Sequence, residues 1–331
     1  MSKPQIVVLD DYERSAEQYM DWAPIRMRAD VQMYQHPLIG DALVAAIKNA
    51  QVVVLIRDRT PFTAALLAQL PALKYLVFTG GRNGLLDVTA LKARGIPISH
   101  TEFGPSKDAT AELTIALLMA AMKRMDLVLQ TAGKSGLQSW RPGNTAGQFV
   151  MPRLLSGAML GLVGLGAIGG KVAHVAKALG MKVQTWSPNM TAERAANHGV
   201  QFAPLDELMA TSDAVSLHLV LAASTKHIVN SARLAQMKSS AVLINTSRSG
   251  LVDEAALAIA LAQGQIAAAA TDVFDVEPVP AGYPLVQAPN MITTPHLGFV
   301  CEPVYQNFWS GVNEALMAWL SNKPLPRPYN P

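Results

Sequence analysis

A single cysteine, Cys301, stands in a chain of 331 residues. That excludes an internal disulfide and any site built from several cysteines. Nothing beside Cys301 in sequence activates a thiol, so it reads as a packing residue rather than a nucleophile. Charge is also sparse, at 15% Asp, Glu, Lys and Arg with a net charge of +3. The basic residues are scattered, with no basic face or tract, which argues against a nucleic-acid partner. Long apolar runs are missing too: Glu112 interrupts the most hydrophobic helical stretch, 111–122, and no unbroken run could span a bilayer. The start, MSKPQ leading into IVVLD, lacks the basic segment and long apolar core of a signal peptide. The expectation is a soluble protein of the cytoplasm with no membrane partner.

Half of the residues are hydrophobic, and the length suffices for two domains with sizeable cores. Strand-like runs at 6–9, 31–34, 52–56 and 75–78 alternate with helical patterns at 41–49 and 63–69. A further helix at 87–94 leads to a short strand around 96–99. Alternation at this spacing predicts right-handed crossovers and a mostly parallel sheet. A long apolar helix is expected over 107–125, then an irregular arm over 131–153 that carries Trp140 and suits a subunit interface. Strands are expected again at 182–186, 214–219, 241–245, 267–273 and 291–293, with helices at 253–263 and 304–320. No short tandem repeat is found.

The chain is organised around MLGLVGLGAIGG, residues 159–170. An apolar strand ends at Val163 and a helix begins at Ala167, so Gly164, Gly166 and Gly169 fall at a strand-to-helix turn. The first glycine allows the turn, the second lets backbone approach a pyrophosphate, and the third lets the helix pack closely. Free N–H groups at the helix start, including those of Ala167 and Ile168, favour phosphate charge. A second glycine loop, Thr79-Gly80-Gly81-Arg82-Asn83-Gly84, follows a strand. It reads either as a flexible loop or as a backbone cradle for a small carboxylate.

Three later stretches each follow a strand and so reach one sheet edge: NTSRSGLVDE (245–254), TDVFDVEP (271–278) and TTPHLG (293–298). They bring an arginine, a carboxylate and a histidine together. Arginine's planar fork suits a substrate carboxylate. Histidine exchanges a proton near neutral pH, and a carboxylate on its other ring nitrogen fixes the tautomer. Beside a nicotinamide this set reduces a 2-oxo acid. The bland readings are a surface arginine, a loop carboxylate, a backbone-bonded histidine and, for Asp272, a helix cap. His218 reads as structural, and Asp253 and Glu254 as the cap and start of their helix.

With these motifs in place, the chain resembles the D-isomer-specific 2-hydroxyacid dehydrogenases over nearly its whole length. The resemblance rests on GLVGLGAIGG, SLHLVLAASTKHIVN, MKSSAVLINTSRSGLVDEAAL, ATDVFDVEPVP and NMITTPHLGF, in the family's order and spacing. It implies two doubly wound α/β domains with parallel sheets. A Rossmann coenzyme domain (105–298) is inserted into a flavodoxin-like substrate-binding domain (1–104 plus 299–331), with a cleft that closes about crossings near 102–105 and 296–300. It also implies a homodimer, no metal, and interconversion of a D-2-hydroxy acid and its 2-oxo acid with NAD or NADP.

By the same resemblance Arg248 binds substrate, Glu277 partners the histidine and His296 is the acid/base. Asp272 bonds the nicotinamide carboxamide, Thr246 and Arg248 border the ring, Thr225 lies beside the cofactor, and Gly80 and Gly81 hold the substrate carboxylate. Ser187 stands where NAD-preferring members carry an acidic residue. NAD is put first and NADP is left open, with Asn189, Thr191 and Arg194 as nearby candidates. Val220 and Ser249 depart from the family's usual proline and glycine. Substrate choice is assigned to Arg57, Asp58, Arg59, Thr60, Arg82 and Asn83, and to Trp309 or residues lent by a second subunit; Arg59 or Arg82 reads either as the receiver of a second anionic group or as a solvated loop residue. The alternatives are a dinucleotide-sensing co-repressor and a formate or phosphite dehydrogenase on the same fold.

Overall fold

The computed structural model describes residues 3–128 and 151–330. The arm expected over 131–153, with Trp140, lies outside the described residues up to 150. The chain divides into two compact units, Met1–Ser106 with Val300–Pro331, and Lys107–Phe299.

The first unit is built on five parallel strands, β1 (Gln5–Leu9), β2 (Asp30–Met33), β3 (Val52–Leu55), β4 (Tyr75–Phe78) and β5 (Ile98–His100), in the order β2-β1-β3-β4-β5. VVVL and YLVF are buried at every position, as strands covered on both faces must be. Strand β2 lies at the edge and only alternates between exposed and half-buried. The helix Glu302–Leu320 buries Val304, Phe308, Trp309, Val312, Ala315 and Leu316. Trp309 donates its Nε1–H to Ser15 Oγ at 2.8 Å and meets Trp22 edge-on at 6.0 Å. The last helix thereby belongs to the core that the first residues begin.

The second unit holds β6 (Met159–Val163), β7 (Lys182–Trp186), β8 (Gln201–Phe202), β9 (Ala214–Leu217), β10 (Val242–Asn245), β11 (Ala268–Thr271) and β12 (Met291–Thr293). Their order is β12-β11-β10-β9-β6-β7-β8, all parallel. Alternate side chains go to opposite faces: Leu160, Leu162, Val242 and Ile244 join one core cluster, and Val163, Val215, Leu217 and Leu243 the other. Chain order reverses between β6 and β9, the switch point where open α/β sheets take ligands. Gly161 in β6 has a local cause, since a Cβ there would lie 2.3 Å from Ser212 Oγ.

The predicted strands are all present, with ends shifted by one or two residues. The long helix runs Ser106–Met122 rather than to 125. Arg124 leaves helical geometry with φ 55° and pairs with Asp126 at 2.8 Å. The short helices Ala192–Asn197, Leu205–Thr211 and Ser231–Gln236 and strand β8 escaped the sequence reading. No described helix is long and apolar enough to cross a membrane.

Asp213 locks the entry to this sheet. Its Oδ2 accepts from Met159 N at 2.8 Å, and Oδ1 meets Arg153 and Lys238 at 2.9 Å each. Burial raises the carboxyl's pKa, but the Met159 N–H and the two cations outweigh it and hold it below the ordinary carboxylate value. A depressed folded-state pKa stabilises fully above the unfolded value of about 4 and is lost as pH falls through the folded value. Asp213→Asn should therefore be less stable than the parent at pH 7. The gap in urea midpoint should narrow as the pH is taken below about 4.

Candidate active site

The glycine turn is shaped for backbone approach. Gly164 has φ 108°, and a Cβ on it would lie 2.6 Å from the His218 carbonyl oxygen. A Cβ on Gly169 would lie 2.4 Å from the Gly164 carbonyl oxygen, so helix Ala167–Ala178 could not pack as it does. Gly166 caps that helix without a side-chain partner, and the space its Cβ would enter is open. Exposed Gly166 and Ala167 and half-buried Ile168 thus leave uncapped N–H groups beside a vacant approach. This is the shape and polarity a dinucleotide pyrophosphate requires. Burial of the His218 ring lowers its pKa to about 4, and Ser216 Oγ sits 2.9 Å from its Nε2, in keeping with a structural residue.

Parallel strands bring the ends of β10, β11 and β12 to the same edge. Asp272, following β11, is 1% exposed. Its Oδ1 accepts from Thr294 Oγ1 at 2.6 Å and Leu297 N at 2.7 Å, and its Oδ2 accepts from Gly298 N at 2.7 Å. Burial raises its pKa despite those three bonds. The carboxylate, read from the motif as a nicotinamide ligand, is thus occupied in holding the segment that carries His296. That segment is tightly turned: His296 has φ 57°, a left-handed conformation uncommon outside glycine.

His296 Nδ1 lies 2.6 Å from Glu277 Oε2, with the two side chains 37% and 35% exposed. Glu277 Oε1 accepts from Phe274 N at 2.8 Å. Burial raises the Glu277 pKa, but the His296 hydrogen bond and charge, the Phe274 N–H and the charge of Arg248 outweigh it, leaving the carboxyl below its ordinary value. Arg248 is exposed, and its guanidinium donates to the Ser247 carbonyl at 2.7 Å. Arg248, Glu277 and His296 are therefore gathered at one edge.

Other predicted residues have local duties. Thr246 Oγ1 is 2.7 Å from Thr114 Oγ1. Thr225 Oγ1 closes its own loop through Val220 O and Ala222 N, both at 2.8 Å. In the first unit, Gly80 donates its N–H to Thr101 Oγ1 at 2.8 Å, while Gly81 is half-buried. Two expectations about substrate choice need correcting. Arg59 is committed to Glu13 at 2.5 Å and to the Asp10 carbonyl at 2.6 Å, and so is not offered to a second anionic group. Trp309 is fully buried in the core and cannot touch a substrate. The cation against the glycine loop is Arg57, stacked 4.7 Å over Phe103.

One residue was missed. Glu254, read as the start of its helix, accepts from Asp275 N at 3.0 Å and from Tyr283 Oη at 2.5 Å. It thereby fixes the loop that carries Glu277 to the segment that carries Arg248. Position alone could not reveal this, because a glutamate at a helix start is already explained by the helix dipole.

A sequence model described as D-isomer specific 2-hydroxyacid dehydrogenase, NAD binding domain, matches residues 115–298. The chain belongs to that family. The dehydrogenase is 35% identical over 254 residues to 4-methyl-2-oxopentanoate reductase A of Aspergillus oryzae, covering 75% of this chain and 74% of that protein. It is 32% identical over 301 residues to a glyoxylate reductase of Aeropyrum pernix, covering 90% and 88%. The crystal structure of a phosphoglycerate oxidoreductase from Vibrio cholerae superposes with a TM-score of 0.86 at 31% identity, covering 97% of this chain and all of that one. The dehydrogenase is thus an NAD(P)-dependent oxidoreductase with two parallel-sheet α/β domains, and these relatives do not favour the sensor reading.

Because the dehydrogenase's Glu277 loop hangs on Glu254, Glu254→Ala should lower kcat about tenfold or more with little change in KM. Steady-state kinetics check this, and unchanged turnover would mean that the loop holds without the carboxylate.

Proposed function

We propose that the enzyme interconverts a small D-2-hydroxy acid and its 2-oxo acid, with His296 as acid/base, Glu277 as its partner and Arg248 as the substrate-carboxylate ligand. The observation that carries this reading is the 2.6 Å contact between His296 Nδ1 and a Glu277 itself pinned by Phe274 N. With Nδ1 committed to Glu277, the proton to be exchanged resides on Nε2. The carboxylate fixes the ring's orientation, so that Nε2 can exchange its proton with a carbonyl oxygen. The exposed Arg248 guanidinium has the planar fork that a carboxylate accepts in bidentate fashion. Bound nicotinamide supplies or accepts the hydride. Gly166, Ala167, Ile168 and Gly169 would hold its pyrophosphate through backbone N–H groups on the turn that Gly164 shapes, with Ser187, Thr225, Thr246 and Asp272 framing the rest of the coenzyme. Gly81, with Gly80 shaping the loop, receives the substrate carboxylate.

On this reading Lys107–Phe299 is the coenzyme domain, and Met1–Ser106 with Val300–Pro331 the substrate domain. The names of the Aspergillus and Aeropyrum relatives, reductases of 4-methyl-2-oxopentanoate and of glyoxylate, support a 2-oxo acid as the oxidised substrate. The enzyme acts as a homodimer. A groove of about 880 Å³ between helices Ser106–Met122 and Ala167–Ala178, lined by Ile115, Met119 and Val175, supports this contact. Met119 and Val175 there are 40% and 39% exposed.

His296→Asn should lower kcat by about 100- to 10,000-fold while dinucleotide affinity stays within about twofold. Arg248→Lys should chiefly raise KM, because an ammonium lacks the fork. A panel of 2-oxo acids assayed with NADH and NADPH tests both. Full activity of His296→Asn would remove the histidine from the reaction. For the assembly, Met119→Glu with Val175→Glu should shift sedimentation from dimer to monomer, and an unchanged dimer would place the contact elsewhere.

A further inference from the structure

The end of strand β7 lies beside the glycine turn. Strands β6 and β7 pair through Val163 and Trp186, and Gly164 N donates to the Trp186 carbonyl at 2.7 Å. Ser187 therefore follows directly beside the glycine turn, at the place where a Rossmann domain meets the adenosine ribose. From Ser187 the chain makes a turn closed by Met190 N on the Ser187 carbonyl at 3.0 Å. Ser187, Pro188, Asn189, Met190 and Thr191 include no carboxylate, and the first acidic residue is Glu193 in the following helix.

A cation stands on this same turn. Thr191 Oγ1 accepts from Arg194 N at 3.2 Å, and the Arg194 side chain folds back to donate from Nη1 to the Asn189 carbonyl. Arg194 is exposed and forms no ion pair among the described residues. The hydrogen bond to a neutral carbonyl tethers the guanidinium to the loop without spending its charge.

We propose that the enzyme binds NADP(H) in preference to NAD(H), with Arg194 as the ligand of the 2′-phosphate and Ser187 as a hydroxyl donor beside it. The inference rests on the dehydrogenase reading of the site and reverses the order that sequence alone suggests. Two effects act in the same direction. Free ribose hydroxyls are best held by a carboxylate acceptor, which this loop lacks. A phosphate dianion gains from a planar guanidinium already held in place, because less side-chain freedom is lost on binding.

The test is calorimetric titration of the full-length protein with NADP⁺ and with NAD⁺ in the absence of substrate. NADP⁺ should bind about tenfold or more tightly than NAD⁺, and the difference should shrink as salt is raised. Arg194→Ala should weaken NADP⁺ by about tenfold while leaving NAD⁺ within about twofold. Ser187→Asp should invert the preference. Equal or tighter binding of NAD⁺ by the parent protein would overturn the proposal, as would an Arg194→Ala that weakens both dinucleotides alike. In either case the dehydrogenase reading would stand. Failure of both dinucleotides to bind would overturn that reading as well.

Discussion

The site depends most on the buried carboxylate of Asp272. Three donors from one short stretch, Thr294, Leu297 and Gly298, converge on its two oxygens. They bend the chain after β12 into a turn that a histidine would not adopt unaided, and His296 takes a left-handed φ within it. Such strain persists where the surroundings over-determine it. His296 is thus aimed by hydrogen bonds to its neighbours, and its own bond to Glu277 only completes the alignment.

The second constraint is the parallel sheet. Because β6, β10, β11 and β12 run in one direction, the glycine turn, Arg248, Glu277 and His296 all leave the sheet at the same edge. Glu254 binds two of the departing loops together through Asp275 and Tyr283. Loops otherwise free to move independently become one assembly, which is what a reaction with narrow geometric tolerance needs.

Much of this was legible in the sequence. β-Branched and aliphatic runs fix the buried strands, because a parallel strand covered on both faces has no polar positions to blur the pattern. Gly164, Gly166 and Gly169 were readable because each answers a distinct steric demand. What escaped was short or doubly explained. Helices of six or seven residues, such as Ala192–Asn197 and Ser231–Gln236, carry too few turns for periodicity to show, and strand β8 has only two residues. Arg59 and Trp309 look like ligands in the sequence because nothing local reveals their partners. Glu13 lies 46 positions from Arg59, and Ser15 lies 294 from Trp309.

That last separation has a consequence for synthesis. Lys107–Phe299 is one continuous stretch, and every strand of its sheet has been made before the final helix leaves the ribosome. The other unit is discontinuous. Its five strands emerge before that stretch, yet Trp22 and Ser15 must wait for Trp309 to pack against both. Domains fold as units during synthesis. The inserted unit is therefore free to fold first, while the strands made before it close their core only after it is complete.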